Sequence, residues 1–350
     1  MRDLIPSSAW HVTASAVTVM AASIVVAACV RPAPRATAPA ATTADISQLW
    51  QEPRELAARD LRHGAGGVRR APDPAVTYHF EEADRSGYSK GYEVTGPDGR
   101  RWNVKVGPEA QSEVVASRIL WAIGYHQPAV YYLPRWTMSG EIEGSQEAGR
   151  FRPEDPDWQP VGEWSWYEND FVDTRPFKGL IAANLILNNW DLKTSNNRIV
   201  EHRANRSTER LYVVRDLGAS LGRTTLPAWL NLPLIRMWKQ GTRNNVADFE
   251  SQNLIKRIDG RRIEFDYRGV NDSLVDTVSA PDVIWTCRLM DRISDAQWRD
   301  AFDAAGYSPE ERERFVKKIK SKIGEGLALA KQEEKREGGT RQTGVREKGD

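Results

Sequence analysis

The stretch from Asn189 to Asn196 constrains the fold of this chain more than any other, because it sets three polar residues into one short loop. Asp191, Lys193 and Asn196 follow the spacing D-x-K-x-x-N. Apolar residues at helical spacing from Phe177 onward predict a helix that ends just before this loop. The spacing alone occurs by chance in many proteins, so its meaning depends on what surrounds it.

The residues after the loop supply a second acidic element. Short strands are predicted at 198–201 and 211–215, and the second runs into Asp216-Leu217-Gly218. An isolated D-x-G is usually a turn. Here it follows a helix, a polar loop and a hairpin in a fixed order, which favours a functional interpretation.

The preceding region is typical of a small sheet with one helix. Strands are predicted at 76–80, 92–95, 101–106, 128–133 and 164–172. A charged insertion is expected at 139–160, and helices at 45–62 and from Glu109 to about Ile123. Lys105 lies in the middle of the strand 101–106, and Glu113 lies on the helix that follows, with Glu109 as a competing choice.

These residue types are the ones that phosphoryl transfer needs. A carboxylate must hold the acceptor hydroxyl and take its proton, and cations must offset the charge on the phosphates. Magnesium prefers oxygen ligands from carboxylates and amides. Lys105, Asp191, Lys193, Asn196 and Asp216 together would supply each of these parts.

The motifs resemble those of protein kinases. Asp191-Leu192-Lys193-Thr194-Ser195-Asn196 is similar to the catalytic loop of serine/threonine kinases, and Asp216-Leu217-Gly218 to their D-F-G element with Leu in place of Phe. Val104-Lys105-Val106 is similar to the strand that carries the phosphate-binding lysine. The resemblance implies an α+β, bilobal protein-kinase-like fold with a small β-rich N-lobe and a larger helical C-lobe.

The resemblance also implies a role for each residue. Asp191 would orient and deprotonate the acceptor hydroxyl, and Lys193 would stabilise charge on the γ-phosphate of ATP. Asn196 and Asp216 would bind Mg²⁺. The remaining residues implied in nucleotide binding are Lys105 with its partner Glu113, and Gly87 and Gly91 as the loop over the phosphates.

Three departures make the resemblance one to atypical kinases. The sequence has no G-x-G-x-x-G, no A-P-E, and Asn189-Trp190 in place of the H-R pair before the catalytic Asp. Because the arginine of that pair grips a phosphorylated activation loop in many kinases, we expect no such switching here. The looser group includes HipA-like, phosphatidylinositol 3-/4-kinase-like, spore-coat CotH-like and secretory-pathway kinases.

The N-terminal segment predicts export. Apolar and small residues run from Val12 to Ala28, and Val26-Ala27-Ala28-Cys29 resembles the lipobox of bacterial lipoproteins. The resemblance implies cleavage before Cys29, its lipidation, and a place in the cell envelope facing the periplasm or exterior. A cleaved secretory signal and an uncleaved anchor helix are the alternatives.

The predicted organisation follows from these segments. It consists of a lipoprotein signal peptide at 1–28, a flexible linker at 29–45, an N-lobe with a helical extension at 46–172, a helical C-lobe with the catalytic loop at 173–332, and a disordered tail at 333–350. The C-lobe helices are expected at 230–239, 281–290, 295–305 and 309–332.

Composition limits the partners. The formal net charge of +1 gives no basic excess for binding nucleic acid. Of the two cysteines, lipidation of Cys29 would leave Cys287 as a small core residue. The expected partners are ATP, an unidentified hydroxyl-bearing substrate and, through Cys29, a membrane. A tethered pseudokinase that binds nucleotide or a partner without catalysis, and an enzyme that transfers AMP, are the alternatives.

Overall fold

A computed structural model describes residues 45–84, 89–204, 207–224 and 241–346. The predicted signal peptide, almost all of the predicted linker, Cys29, Gly87 and the helix expected at 230–239 lie outside these residues. Among the residues described, no helix combines the length and apolar character that a membrane crossing requires.

The strands form most of the first half of the chain. In the described ranges they are β1 Thr77–Asp84, β2 Lys90–Thr95, β3 Arg101–Val106, β4 Tyr131–Leu133, β5 Trp136–Ser139, β6 Gly144–Gln146, β7 Gly149–Pro153, β8 Trp158–Gly162, β9 Asn197–Ala204, β10 Ser207–Val214, β11 Ile255–Asp259 and β12 Arg262–Phe265. The main sheet, as far as it is described, has the order β4-β7-β3-β2-β1-β5-β6, and β8, β9 and β10 form a second sheet.

The helices lie mainly in the second half. They are α1 Glu109–Ala122, α2 Arg175–Ile186, α3 Val246–Glu250, α4 Ala280–Asp291, α5 Asp295–Asp303 and α6 Pro309–Arg346. Thr174 caps α2 by accepting a hydrogen bond from the backbone N–H of Phe177. The predicted α+β fold, with a β-rich first part and a mainly helical second part, is confirmed.

Two hydrophobic clusters account for most of the buried apolar side chains in the described residues. One lies beneath the main sheet and is built on Tyr78, Trp102, Trp136 and Phe151. The larger one joins α1 to the C-lobe helices and also contains Cys287, which is buried as predicted. Burial raises the pKa of the Cys287 thiol to about 12, so it is an unreactive core residue.

Three predicted elements differ from the structure. The helix expected at 45–62 is replaced by short 3₁₀ turns, because Pro53 cannot donate to a helical ladder. The strand expected at 164–172 is an irregular segment whose Trp164 and Trp166 rings are buried with centroids 4.8 Å apart. The helix expected to end at Gln332 continues to Arg346.

The charged insertion predicted at 139–160 is the most consequential error. It contains β7, which lies between β3 and β4 in the main sheet and is buried throughout. Arg150 and Arg152 are two of the charged residues in this segment. Both side chains are buried because they pair with a carboxylate from α1, as described next.

Candidate active site

Lys105 lies at the centre of the site, where it brings three predicted residues together. From mid-β3 its Nζ lies 3.2 Å from Glu113 Oε2 on α1 and 3.0 Å from Asp216 Oδ2 after β10. Glu109, the competing choice, is slightly farther away, at 3.6 Å. Burial opposes the charged amine, but Glu113 and Asp216 raise the pKa of Lys105 above its ordinary value.

Glu113 is fully buried and is neutralised from two further directions. Its Oε1 lies 3.1 Å from Arg150 Nε and 2.5 Å from Arg152 Nη2. Burial alone would raise the pKa of Glu113, but Arg150, Lys105 and Arg152 lower it to about 2. This carboxylate therefore stays charged and holds β3, β7 and α1 together.

The two arginines reach Glu113 because β7 pairs with β3. Arg150 lies opposite Lys105 and Arg152 opposite Asn103 in the antiparallel ladder. Arg150 Nη1 also donates to the Asn103 backbone oxygen at 3.0 Å. Sequence reasoning missed both residues, although the alternation Arg150-Phe151-Arg152 carries the two-residue period of a strand.

The catalytic loop is held together by its own polar residues. Lys193 Nζ lies 2.9 Å from Asp191 Oδ1 and 3.0 Å from Oδ2. Asn196 Nδ2 donates to the Asp191 backbone oxygen at 2.7 Å. The predicted trio is therefore contiguous in space as well as in sequence.

A later segment, which sequence reasoning did not single out, supports the loop from beneath. Val270 N–H donates to the Trp190 carbonyl at 2.8 Å, and Asn271 Nδ2 donates to the Leu192 carbonyl at 2.8 Å. The Tyr267 hydroxyl donates to the Asn189 carbonyl, also at 2.8 Å. Burial, and then the charge of Asp191, raise the pKa of Tyr267 well above its ordinary value, so it remains a donor.

Backbone contacts join the loop to the D-L-G element and that element to α1. Arg215 N–H donates to the Asn196 carbonyl at 2.8 Å. Ser112 Oγ, on α1, donates to the Gly218 carbonyl at 2.8 Å. A Cβ at Gly218 would lie 2.7 Å from Glu109 Cβ, so only glycine allows this close approach.

Some of the predicted residues line a cleft of about 180 Å³, whereas Asp191, Lys193 and Glu113 are not among its lining residues. Lys105, Gly91, Asn196 and Asp216 are among its lining residues. Gly91 pairs with Asp84 at the β1–β2 contact, where a Cβ would lie 2.9 Å from Asp84 Cβ. Gly87, its predicted companion, is outside the described residues.

A larger cavity of about 840 Å³ adjoins this cleft. Residues 153–156, which comprise the last residue of β7 and the three that follow it, form part of its wall, together with Trp158. Residues 168–171, which follow the buried Trp164 and Trp166, are not among its lining residues. Phe171 instead packs against Tyr212, with ring centroids 4.8 Å apart.

The donor set suits a hard cation bound partly by phosphate. Within the described ranges, no group of three or more His, Cys, Asp or Glu side chains forms a metal cluster. Asn196 donates its amide hydrogens to Asp191, which leaves its carbonyl oxygen as a ligand, and Asp216 adds a carboxylate. Magnesium takes few protein ligands beside substrate phosphates, so this pair fits it.

Comparisons with known proteins give limited information. No family model matches the sequence, and no curated protein matches it. A crystal structure of CtkA, a proinflammatory kinase from Helicobacter pylori, is similar at 11% identity and a TM-score of 0.42. The alignment covers 74% of this chain and 99% of that one. Any assignment of function therefore depends on the geometry of the site.

Proposed function

We propose that this chain is an ATP-dependent phosphotransferase, a kinase, that moves a phosphoryl group to a hydroxyl of a protein, lipid or small molecule. The observation that carries the proposal is the convergence on Lys105. Its Nζ lies within 3.2 Å of both Glu113 and Asp216. The hydrogen bond from the Arg215 backbone N–H to the Asn196 carbonyl then connects the segment that carries Asp216 to the Asp191 loop.

Asp191 is the residue suited to activate the acceptor. Its side chain is 17% exposed, and in the proposed reaction the acceptor hydroxyl donates its proton to this carboxylate. Lys193, which is half exposed and within 3.0 Å of that carboxylate, supplies positive charge for the phosphoryl group in transit. A positioned carboxylate of this kind typically contributes about 10²- to 10⁴-fold to a rate.

Asn196 and Asp216 would hold Mg²⁺, and Lys105 would contact the α- and β-phosphates. When bound, the metal ion neutralises the negative charge of the phosphates. Glu113 keeps Lys105 in place, because its carboxylate is itself fixed by Arg150 and Arg152. The nucleoside would occupy the larger cavity, whose volume lies in the usual range for small-molecule sites.

We also propose that the domain is exported and anchored to a membrane of the cell envelope through lipidated Cys29. The support is the small-residue run before Cys29 together with the Pro/Ala/Thr linker after it. Labelling cells with a fatty-acid probe tests this, since Cys29→Ala should abolish incorporation. Equal labelling of the variant would contradict the proposal.

The activity is tested with the full-length chain, labelled ATP and Mg²⁺, by following transfer to protein or added hydroxyl acceptors. Asp191→Asn and Asp216→Ala should each reduce transfer by about 10²-fold or more. The matched control is Asp276→Asn, an exposed aspartate paired with Arg262, which should transfer as the wild type does. Equal transfer in all four proteins would contradict the proposal.

Two further readouts separate the alternatives. A thermal shift with MgATP in the absence of any transfer would support the nucleotide-binding pseudokinase. Mass spectrometry of the product distinguishes an added phosphoryl group from an added AMP.

A further inference from the structure

The cleft around Lys105 and the larger cavity meet at four shared residues: Asn103, Arg152, Arg198 and Arg215. We call this set the junction. It carries three guanidinium groups and no carboxylate. A nucleoside has no negative charge to offer such a surface, so the junction requires a separate explanation.

Two of the three arginines have carboxylate partners. Arg152 pairs with Glu113, a carboxylate that also neutralises Lys105 and Arg150. Arg198 pairs with Glu163 at 3.0 Å, on the exposed side of the second sheet. Glu113 is thus shared among three cations, and the Arg152 Nε is buried without a hydrogen-bond partner in the described structure.

Arg215 has no such partner. Within the described residues, its guanidinium forms no ion pair within 4 Å, although the side chain is partly buried and lines both cavities. A buried charge is costly unless it is paired, which makes this position favourable for a ligand of opposite sign.

The position of Arg215 on the chain connects it to the chemistry. It directly precedes Asp216, and its backbone N–H is fixed by the Asn196 carbonyl. Its own carbonyl accepts from Arg152 Nη2 at 3.1 Å. The backbone that carries the guanidinium is therefore held between the proposed metal ligands and the buried Glu113.

We propose that the junction is an anion-binding site, distinct from Lys105, in which Arg215 is the principal contact for a phosphate group. Lys105 already has Glu113 and Asp216 as partners, whereas Arg215 offers a planar fork of donors that suits phosphate. This rests on the proposed function in one respect: the phosphate belongs either to the nucleotide or to a phosphorylated acceptor. Both sources share the same chemistry.

The test uses inorganic tripolyphosphate, titrated calorimetrically into the full-length chain without nucleotide. Arg215→Gln should weaken binding about tenfold or more, the usual worth of a hydrogen-bonded charge. Arg215→Lys keeps the charge but loses the fork, and should weaken binding only a few-fold. The matched control is Arg262→Gln, an exposed arginine that pairs with Asp276 and is not among the lining residues of either cavity, and its affinity should stay within twofold of the wild type.

Binding that is unchanged in both Arg215 variants would overturn the proposal. If Arg215→Gln does not fold, as judged by its thermal unfolding without ligand, Arg215→Lys decides the outcome alone. No tripolyphosphate binding to the wild type would also overturn it.

A second titration, with saturating ATP present, distinguishes the two sources. Loss of tripolyphosphate binding identifies the nucleotide's phosphates as the occupant, while retained binding identifies a phosphorylated acceptor, and either result supports the site. Failure of the proposed function has a separate signature: no transfer, and no effect of Lys105→Met on ATP affinity. The tripolyphosphate arm contains no nucleotide, so it reports on Arg215 in either case.

Discussion

Two groups of charged residues form this site, and they are built in opposite ways. The buried cluster consists of Lys105, Glu113, Arg150 and Arg152, which come from β3, α1 and β7. The open loop consists of Asp191, Lys193 and Asn196, which lie within six residues of one another in the sequence. The Glu113 side chain is 1% exposed, whereas that of Lys193 is 52% exposed.

The difference in burial sets how much each group contributes to stability. Removing one partner from a buried ion pair leaves an unpaired charge out of water and typically costs about 3–5 kcal/mol. An exposed pair is screened by solvent and typically contributes about 0–1 kcal/mol. We therefore infer that the buried cluster positions the site, while the open loop can be altered without unfolding it.

The largest expected effect comes from Glu113→Gln. It removes the carboxylate that Arg150, Arg152 and Lys105 share, and should lower the free energy of unfolding by about 3–5 kcal/mol. Urea denaturation measures the change. Glu163→Gln is the matched control, because Glu163 also pairs with an arginine but is 47% exposed, and should cost less than about 1 kcal/mol. Equal losses of unfolding free energy in the two variants would contradict the inference that the buried charges stabilise the fold more than the exposed ones.

A second effect is the dependence of stability on pH. The pKa of Glu113 is lowered to about 2 in the folded state, from 4.5 in the unfolded chain. The stabilisation is therefore fully present above pH 4.5 and is lost as the pH falls toward 2. Between pH 5 and 3, the difference in unfolding free energy between wild type and Glu113→Gln should shrink by about 2 kcal/mol. A difference that does not change with pH would show that Glu113 is not the titrating group.

The sequence predicted the open loop well and the buried cluster only in part. Asp191, Lys193 and Asn196 are local, so their spacing alone places them on one loop. Lys105 and Glu113 followed from a strand and the next helix. Arg150 and Arg152 could not be placed, because the interior of a protein accepts an arginine only when a distant carboxylate neutralises it, and no local pattern reveals that partner.

The same reasoning applies to the fold. The strand over 101–106 and the helix beginning at Glu109 were predicted closely, since their periodicity is strong. The helix expected at 45–62 does not form. Leu49, Leu56 and Leu61, whose spacing suggested it, are buried, but they belong to separate short turns. Apolar spacing indicated which residues are buried, while Pro53 decided the backbone they lie on.

Lys322 extends the comparison to a second lysine. Unlike Lys105, it has a neutral amide oxygen and an aromatic ring as its neighbours. Its Nζ lies 2.5 Å from Asn188 Oδ1 and over the ring of Phe249, and no carboxylate in the described structure lies within ion-pair range. Burial, and then Lys318, lower the pKa of Lys322 to about 7. The two lysines thus differ in their neutralising carboxylates, which only Lys105 has within ion-pair range, and Lys322 is also the more deeply buried.

Stability should therefore rise with pH above 7, where the unfolded chain still binds a proton that the folded state has lost. Between pH 7 and 8.5 the gain attributable to Lys322 should be about 1–2 kcal/mol. Lys322→Met should reduce this dependence of the unfolding free energy on pH, as measured by urea denaturation, whether or not it changes the stability at any single pH. A slope shared by both proteins would assign the titration to another group.

The smallest expected effect on stability is at the open loop. Lys193→Ala removes an ion pair that is largely in solvent, so the free energy of unfolding should stay within about 0.5 kcal/mol of the wild type. Phosphoryl transfer should nevertheless fall by about 10²-fold, because the positive charge acts on the group in transit. Measuring both quantities on Lys193→Ala and Glu113→Gln separates the two groups most directly: a Lys193→Ala protein that is as unstable as Glu113→Gln would mean that the loop, too, holds the fold together.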